Sequence, residues 1–140
     1  MNFEERRTDI FKVSKEYHLA HCISSDCAMG AGIAVKFQRE FYLRNKLLAL
    51  SKEERSYPTC IKVVTVFNLI TKSKYYEKPT YYTVQESLIK MREQAIESGI
   101  TKIAMPKIAS GLDRLSWVRI RELIIEVFKD TDINILVCLF

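Results

Sequence analysis

The feature that most constrains this chain is an alternation. Short β-branched apolar runs and longer amphipathic stretches follow one another, with brief polar connections. FEERRTDIFKV reads as a short strand and a turn around Thr8 and Asp9. HLAHCIS reads as a buried strand that ends in the turn chemistry of Ser24, Ser25 and Asp26. IAVKFQREFYLRNKLLAL spaces Ile33, Phe37, Phe41 and Leu48 for a helix starting near Gly32. CIKVVTVFNLI reads as a central strand or a strand pair lying edge to edge. TVQESLIKMREQAIESG puts Val84, Leu88, Met91 and Ala95 on one helix face, and Gly99 is its stop signal. KIAMP is a short strand cut by Pro106; SWVRIRELIIEVFKD is a helix with Val118, Leu123, Ile124 and Val127 turned inward; NILVCLF closes as a strand. Alternation with short connections predicts an α/β sandwich around a largely parallel sheet. Ligands of such sheets collect at the carboxyl ends of the strands. That rule selects three segments: SSDCAMGAG, LITKSK and PKIASGLDRL.

Composition narrows the class further. With 140 residues, 48% of them hydrophobic and 28% charged, the chain is expected to form one globular domain without disulfide staples. No apolar run approaches the ~20 residues of a membrane span, and MNFEERRTD lacks the apolar core of a signal peptide. A soluble, intracellular protein is the expectation. The four cysteines, Cys22, Cys27, Cys60 and Cys138, are expected as reduced, mostly buried thiols. Zinc sites show closely spaced ligand pairs, and Cys22 and Cys27 have no second pair after them. His21 and Cys22, adjacent on a strand, point to opposite faces. The net charge of +5 favours an anionic partner, with Lys72, Lys74 and Lys78 as its most local cluster.

Each selected segment has a bland reading and a chemical one. In AMGAGIA, Gly30 and Gly32 flank Ala31 at a strand-to-helix turn, where small residues let backbone N–H groups approach an anion. A glycine there can equally serve geometry alone, and neither the Rossmann nor the Walker pattern is present. Ala109, Ser110 and Gly111 make a second small-residue turn, before a helix starting near Ser116. Two such turns can hold two linked phosphates from opposite sides. Asp113 either complements a helix dipole and pairs with Arg114, or acts as a general acid/base facing a sugar. Lys72 follows an apolar strand and emerges at its end, either as a solvated charge or as an amine nucleophile.

Together, HCIS-x-DC-x-MGAGIAVKF, LITK, KPTY and MP-x-I-x-x-GLDRL-x-W resemble the macrodomain family, in the branch that includes the terminal ADP-ribose protein glycohydrolase. The resemblance covers nearly the whole chain and is weakest over 42–59; DTDINI matches the family's last helix-to-strand turn. It implies a single three-layer α/β/α macrodomain over 1–140, with a central mixed, largely parallel sheet, that binds ADP-ribose and needs no cofactor or metal. The implied ligand set is Asp9 and Ile10, with Asp9 on the adenine amino group, then Ser24, Met29, Gly30, Ala31, Gly32, Ile33 and Ala34 at the distal ribose and diphosphate. Ile108, Ala109, Ser110, Gly111 and Leu112 form the second phosphate loop.

Lys72 and Asp113 stand at the positions of the family's catalytic pair. The resemblance implies lysine attack on the anomeric carbon of the distal ribose, expulsion of a glutamate or aspartate carboxylate, and resolution of the lysyl–sugar adduct with Asp113 as acid/base. Mono-ADP-ribosylated proteins are the implied partners, and deacylation of O-acetyl-ADP-ribose a related activity. Ala109-Ser110 stands where the branch has Gly-Cys, and Cys138 where it has an aromatic near the adenine. The alternative is a non-catalytic ADP-ribose reader with the same pocket. A nucleic-acid module rests on net charge alone, without an aromatic-interleaved basic motif. The expected form is a monomer in the nucleus, the cytoplasm or both.

Overall fold

The computed structural model describes residues 1–139. Six strands form one sheet in the order β1-β6-β5-β2-β4-β3. They are β1 (Asn2–Arg7), β2 (His18–Ser24), β3 (Thr59–Val63), β4 (Val66–Lys72), β5 (Lys102–Met105) and β6 (Asn134–Leu139). All neighbours are parallel except β3 and β4, which pair antiparallel from Val63↔Val66 to Thr59↔Ile70. CIKVVTVFNLI is therefore a strand pair, as one of its two readings held. Phe140, expected in the closing strand, lies outside the described residues.

Two helices cover each face. On one lie α1 (Ile33–Phe41) and α2 (Leu43–Leu48), whose Phe37, Leu43 and Leu47 pack with Leu19, Ile23, Val66 and Ile70. On the other, α3 (Tyr81–Glu97) and α4 (Trp117–Phe128) bury Val84, Leu88, Met91, Ile120 and Ile124 against Ala20, Phe67 and Ile103. Each such side chain contributes roughly 1.5–3 kcal/mol on burial. The expected α/β/α layering is present. α3 ends at the expected Gly99, at φ +68°, where Ile100 N–H closes onto the Ala95 carbonyl at 2.8 Å; it starts at Tyr81, behind a Thr80–Thr83 capping box that the sequence reading did not name.

Two expectations need correction. IAVKFQREFYLRNKLLAL is not one helix, because Tyr42 takes a left-handed conformation (φ +52°) between α1 and α2. Arg44 N–H meets the Gln38 side chain at the break, and Leu43 and Leu47 are buried while Leu48 is not. In α4 the inward stripe runs through Ile120, Ile124, Val127 and Phe128; Val118 is 65% exposed. At about 100° per residue it falls on the face opposite Ile120 and Ile124, while Trp117 just before it packs against the core.

Candidate active site

A cavity of about 690 Å³ opens at the carboxyl ends of β5, β2 and β4, three adjacent interior strands. Its floor includes Cys22, Ile23 and Ser24, and one wall carries Lys72. The first loop, Ala28–Ala34, and the second, Pro106–Asp113, flank it.

The first loop is built for close approach. Gly32 caps α1 at φ +62°, ψ −151°, a region essentially reserved for glycine, and supplies no side-chain cap. The first N–H groups of a helix lack intrahelical partners; in α1 Val35 N–H turns back onto the Gly32 carbonyl at 3.3 Å, and those of Ile33 and Ala34, which line the cavity, are left for an anion. Cys27 and Met29 also take positive φ (55° and 49°), conformations costly for residues with a Cβ. The neighbourhood that holds them there is polar. Arg55 Nη1 donates to the Ser25 carbonyl at 2.6 Å and Arg44 Nε to the Cys27 carbonyl at 2.8 Å. The Asp26 carboxylate accepts from Ser24 Oγ, from Ala28 N–H at 3.2 Å and from Tyr75 N–H at 3.0 Å.

The second loop is a chain of turns. Leu115 N–H closes onto the Ala109 carbonyl at 2.9 Å, Arg114 N–H onto Gly111 at 3.1 Å, and Ser110 Oγ onto Lys107 at 2.9 Å. Ala109 takes φ +59°. Leu112 is 64% exposed and reaches across to the first loop, where a Cβ on Gly32 would lie 3.2 Å from its Cδ1. Lys78 Nζ donates to the Leu112 carbonyl at 2.7 Å.

Lys72 ends β4, and a bulge decides where it stands. The β2–β4 register runs Ile23↔Ile70 and then Ser24↔Lys72, so Thr71 is the extra residue. In an unbroken ladder Thr71 would face Ser24, and every later side chain would change faces. Lys72 Nζ instead meets Asp113 Oδ1 at 2.8 Å, with both side chains only 15% exposed. The pair joins residues from opposite walls. Cys22 lies at the floor beneath, but burial pushes its thiol far up, Asp113 adds to the shift and Lys72 opposes it. A thiol held protonated is a poor nucleophile.

Of the residues singled out in sequence, Ser24, Met29, Gly30, Ala31, Gly32, Ile33, Ala34, Lys72, Ile108, Ala109, Gly111, Leu112 and Asp113 line this cavity. Three do not. Ser110 turns its hydroxyl back onto its own loop. Ile10 is buried in the core, and Asp9 caps the 3₁₀ turn Ile10–Lys12 by accepting from Phe11 N–H at 2.9 Å. Both follow β1, at the same end of the sheet but three strands from β2. Asp113 pairs with Lys72 rather than with Arg114. Cys22, Ala28, Tyr75, Lys78 and Lys107 line the cavity without having been singled out as ligand contacts. Tyr75 directly follows LITKSK, and Lys78 belongs to the basic cluster and opens KPTY; Ala28 is the small residue that opens AMGAGIA.

The fold is that of a macrodomain. It matches the macrodomain of Mycobacterium tuberculosis DarG with a TM-score of 0.88 at 18% identity, over 97% of this chain and 96% of that one. Thermosipho africanus DarTG, solved in complex with ADP-ribose, matches with a TM-score of 0.85 at 16% identity, over 99% of this chain and 42% of that one. No protein-family model matches the chain. The human ADP-ribose glycohydrolase OARD1 is 42% identical over 130 residues, 92% of this chain and 86% of that protein. The chain belongs to the OARD1 family of macrodomains. Among the described residues no helix is long and apolar enough to cross a membrane.

Proposed function

We propose that this protein is an ADP-ribosyl glycohydrolase that releases mono-ADP-ribose from carboxylate ester linkages on glutamate or aspartate. The observation that carries the reading is the shielded Lys72–Asp113 pair, 2.8 Å apart between two small-residue loops. The relatives' activity supports it, since human OARD1 is named an ADP-ribose glycohydrolase. The diphosphate lies along Gly30–Ala34 and Ala109–Leu112, with the adenine toward Asp9 and the distal ribose over Ser24 and Lys72. Asp113 takes a proton from Lys72 Nζ, and the freed amine attacks the anomeric carbon of the distal ribose. The bond to the ester oxygen breaks, and the carboxylate departs with the electron pair. Water then replaces the amine at that carbon, with Asp113 handling the proton, and ADP-ribose leaves. O-acetyl-ADP-ribose presents the same sugar with a smaller acyl group and is a second candidate substrate. The protein acts as a single-domain monomer in the nucleus or cytoplasm.

The test is a substrate panel with different linkages, read by released ADP-ribose, together with two variants. Ester-linked ADP-ribose is cleaved and serine-linked ADP-ribose is left intact. Lys72→Ala abolishes turnover yet binds ADP-ribose nearly as the wild type does. Asp113→Ala slows the reaction by ~10²–10⁴-fold, the usual worth of acid/base assistance; if its adduct forms and is not resolved, intact mass spectrometry finds protein heavier by one ADP-ribosyl group, which Lys72→Ala does not show. Full turnover by Lys72→Ala rejects the nucleophile. ADP-ribose binding with no turnover of any substrate makes the protein a reader.

A further inference from the structure

The end of β4 and the start of the first loop are joined at one carboxylate, Asp26. Past the bulge, Ser25 N–H donates to the Lys72 carbonyl at 2.9 Å and Asp26 N–H to the Ser73 carbonyl at 3.2 Å, extending the ladder beyond both strands. The Asp26 side chain then reaches both ways, to Ser24 Oγ and Ala28 N–H within its own segment and to Tyr75 N–H in the other. Burial by itself pushes the Asp26 carboxyl up. Hydrogen bonds from Ser24, Tyr75 N–H and Ala28 N–H, with the Lys74 charge, reverse this and hold it below its usual range. It is a fixed anion with three donors, and it does not line the cavity.

We propose that Asp26 is a positioning residue for the reaction: through Tyr75 N–H it fixes the Lys72–Tyr75 segment to the first phosphate loop, so that the amine and the diphosphate cradle keep one spacing. The inference rests on the proposed hydrolase reading. A nucleophile displaced by about 1 Å can cost a factor of ~10² in rate, while the phosphate contacts that set affinity survive. Asp26 thus acts on kcat through Lys72 without touching the substrate.

Asp26→Asn separates the two arms of the carboxylate. The amide oxygen still accepts from Ser24 and Ala28, and the NH₂ group confronts Tyr75 N–H. The expected result is a 10–100-fold fall in kcat for ester-linked ADP-ribose, with Kd for ADP-ribose within about threefold of wild type. A second pair of variants removes the donor instead. Glu77 N–H bonds the Lys74 carbonyl at 3.0 Å, which makes Tyr75 the second residue of a β-turn, a position that favours proline. Tyr75→Pro keeps the turn and deletes the N–H, whereas Tyr75→Ala removes the ring and keeps the N–H. Tyr75→Pro should have a kcat at least tenfold below Tyr75→Ala, and this comparison decides the matter if Asp26→Asn does not fold. The proposal is overturned by equal kcat in the Tyr75 pair, by a kcat of Asp26→Asn within twofold of wild type, or by a loss confined to ADP-ribose affinity. Wild-type protein that releases no ADP-ribose overturns the hydrolase reading itself, a result distinct from any of these.

Discussion

The two flanks of the sheet hold their halves of the site by different means. The α3–α4 flank has long helices, of 17 and 12 residues, and an almost wholly apolar core; its loop is held mainly by its own turns. The α1–α2 flank has helices of nine and six residues, broken at Tyr42. Within its core His21 Nε2 and Asn68 Oδ1 lie 2.7 Å apart, with the imidazole stacked on Phe37, and its loop is strapped by Arg44, Arg55 and Asp26. Short helices bury less apolar surface, so polar contacts do more of the positioning there. Such contacts are directional and fix geometry, but they are sensitive to charge. The first loop is therefore preorganised and vulnerable, the second adaptable and robust.

Acid should expose that difference most. Burial lowers the His21 pKa from 6.5 to about 4, with the Asn68 hydrogen bond opposing the shift. A depressed histidine stabilises the fold while it is neutral. This contribution is complete above pH 6.5 and is lost as pH falls toward 4, because the unfolded chain takes up the proton first. The loss reaches about 2–3 kcal/mol by pH 4.5, measured by urea unfolding against pH 7. Most of it should disappear in His21→Gln; unchanged acid sensitivity in that variant breaks the comparison.

Glycine substitutions come next. Gly32→Ala forces a Cβ into a strained conformation and against the Leu112 side chain, at a cost of about 1–3 kcal/mol. Calorimetry should find ADP-ribose affinity reduced by tenfold or more. A smaller loss is expected from Arg55→Ala, about 1–2 kcal/mol, for removing a charged donor from the Ser25 carbonyl. Gly111→Ala should be the mildest, because its Cβ meets nothing within 4 Å and its φ is ordinary. A melting shift within about 0.5 kcal/mol of wild type is the expectation there. If Gly111→Ala proves as damaging as Gly32→Ala, the second loop is not the adaptable one.

What could be read in the sequence was whatever local pattern decides. The apolar run before Lys72 placed it at a strand end, and the small residues around Gly32 marked a strand-to-helix turn. Gly99 ends α3 where its residue type predicts. What could not be read depends on partners far along the chain. The Thr71 bulge arises from the β2–β4 register, and the Lys72–Asp113 and Asp26–Tyr75 bonds span 41 and 49 residues. Tyr42 breaks a helix without glycine, proline or asparagine to announce it, and Val118 is an apolar residue on the solvent face of α4, out of phase with Ile120 and Ile124.

The pairing of β1 with β6 joins Asn2 to Asn134, almost the full span of the sequence. Closing so long a loop carries an entropy cost that only the finished sheet edge repays, so this strand should dock last as the protein folds. Asp9 and Ile10 hang from that late strand. A nucleotide that engages Asp9 therefore recognises only molecules whose opening and closing segments have met. On the proposed reading, adenine binding would double as a proofreader of the β1–β6 closure.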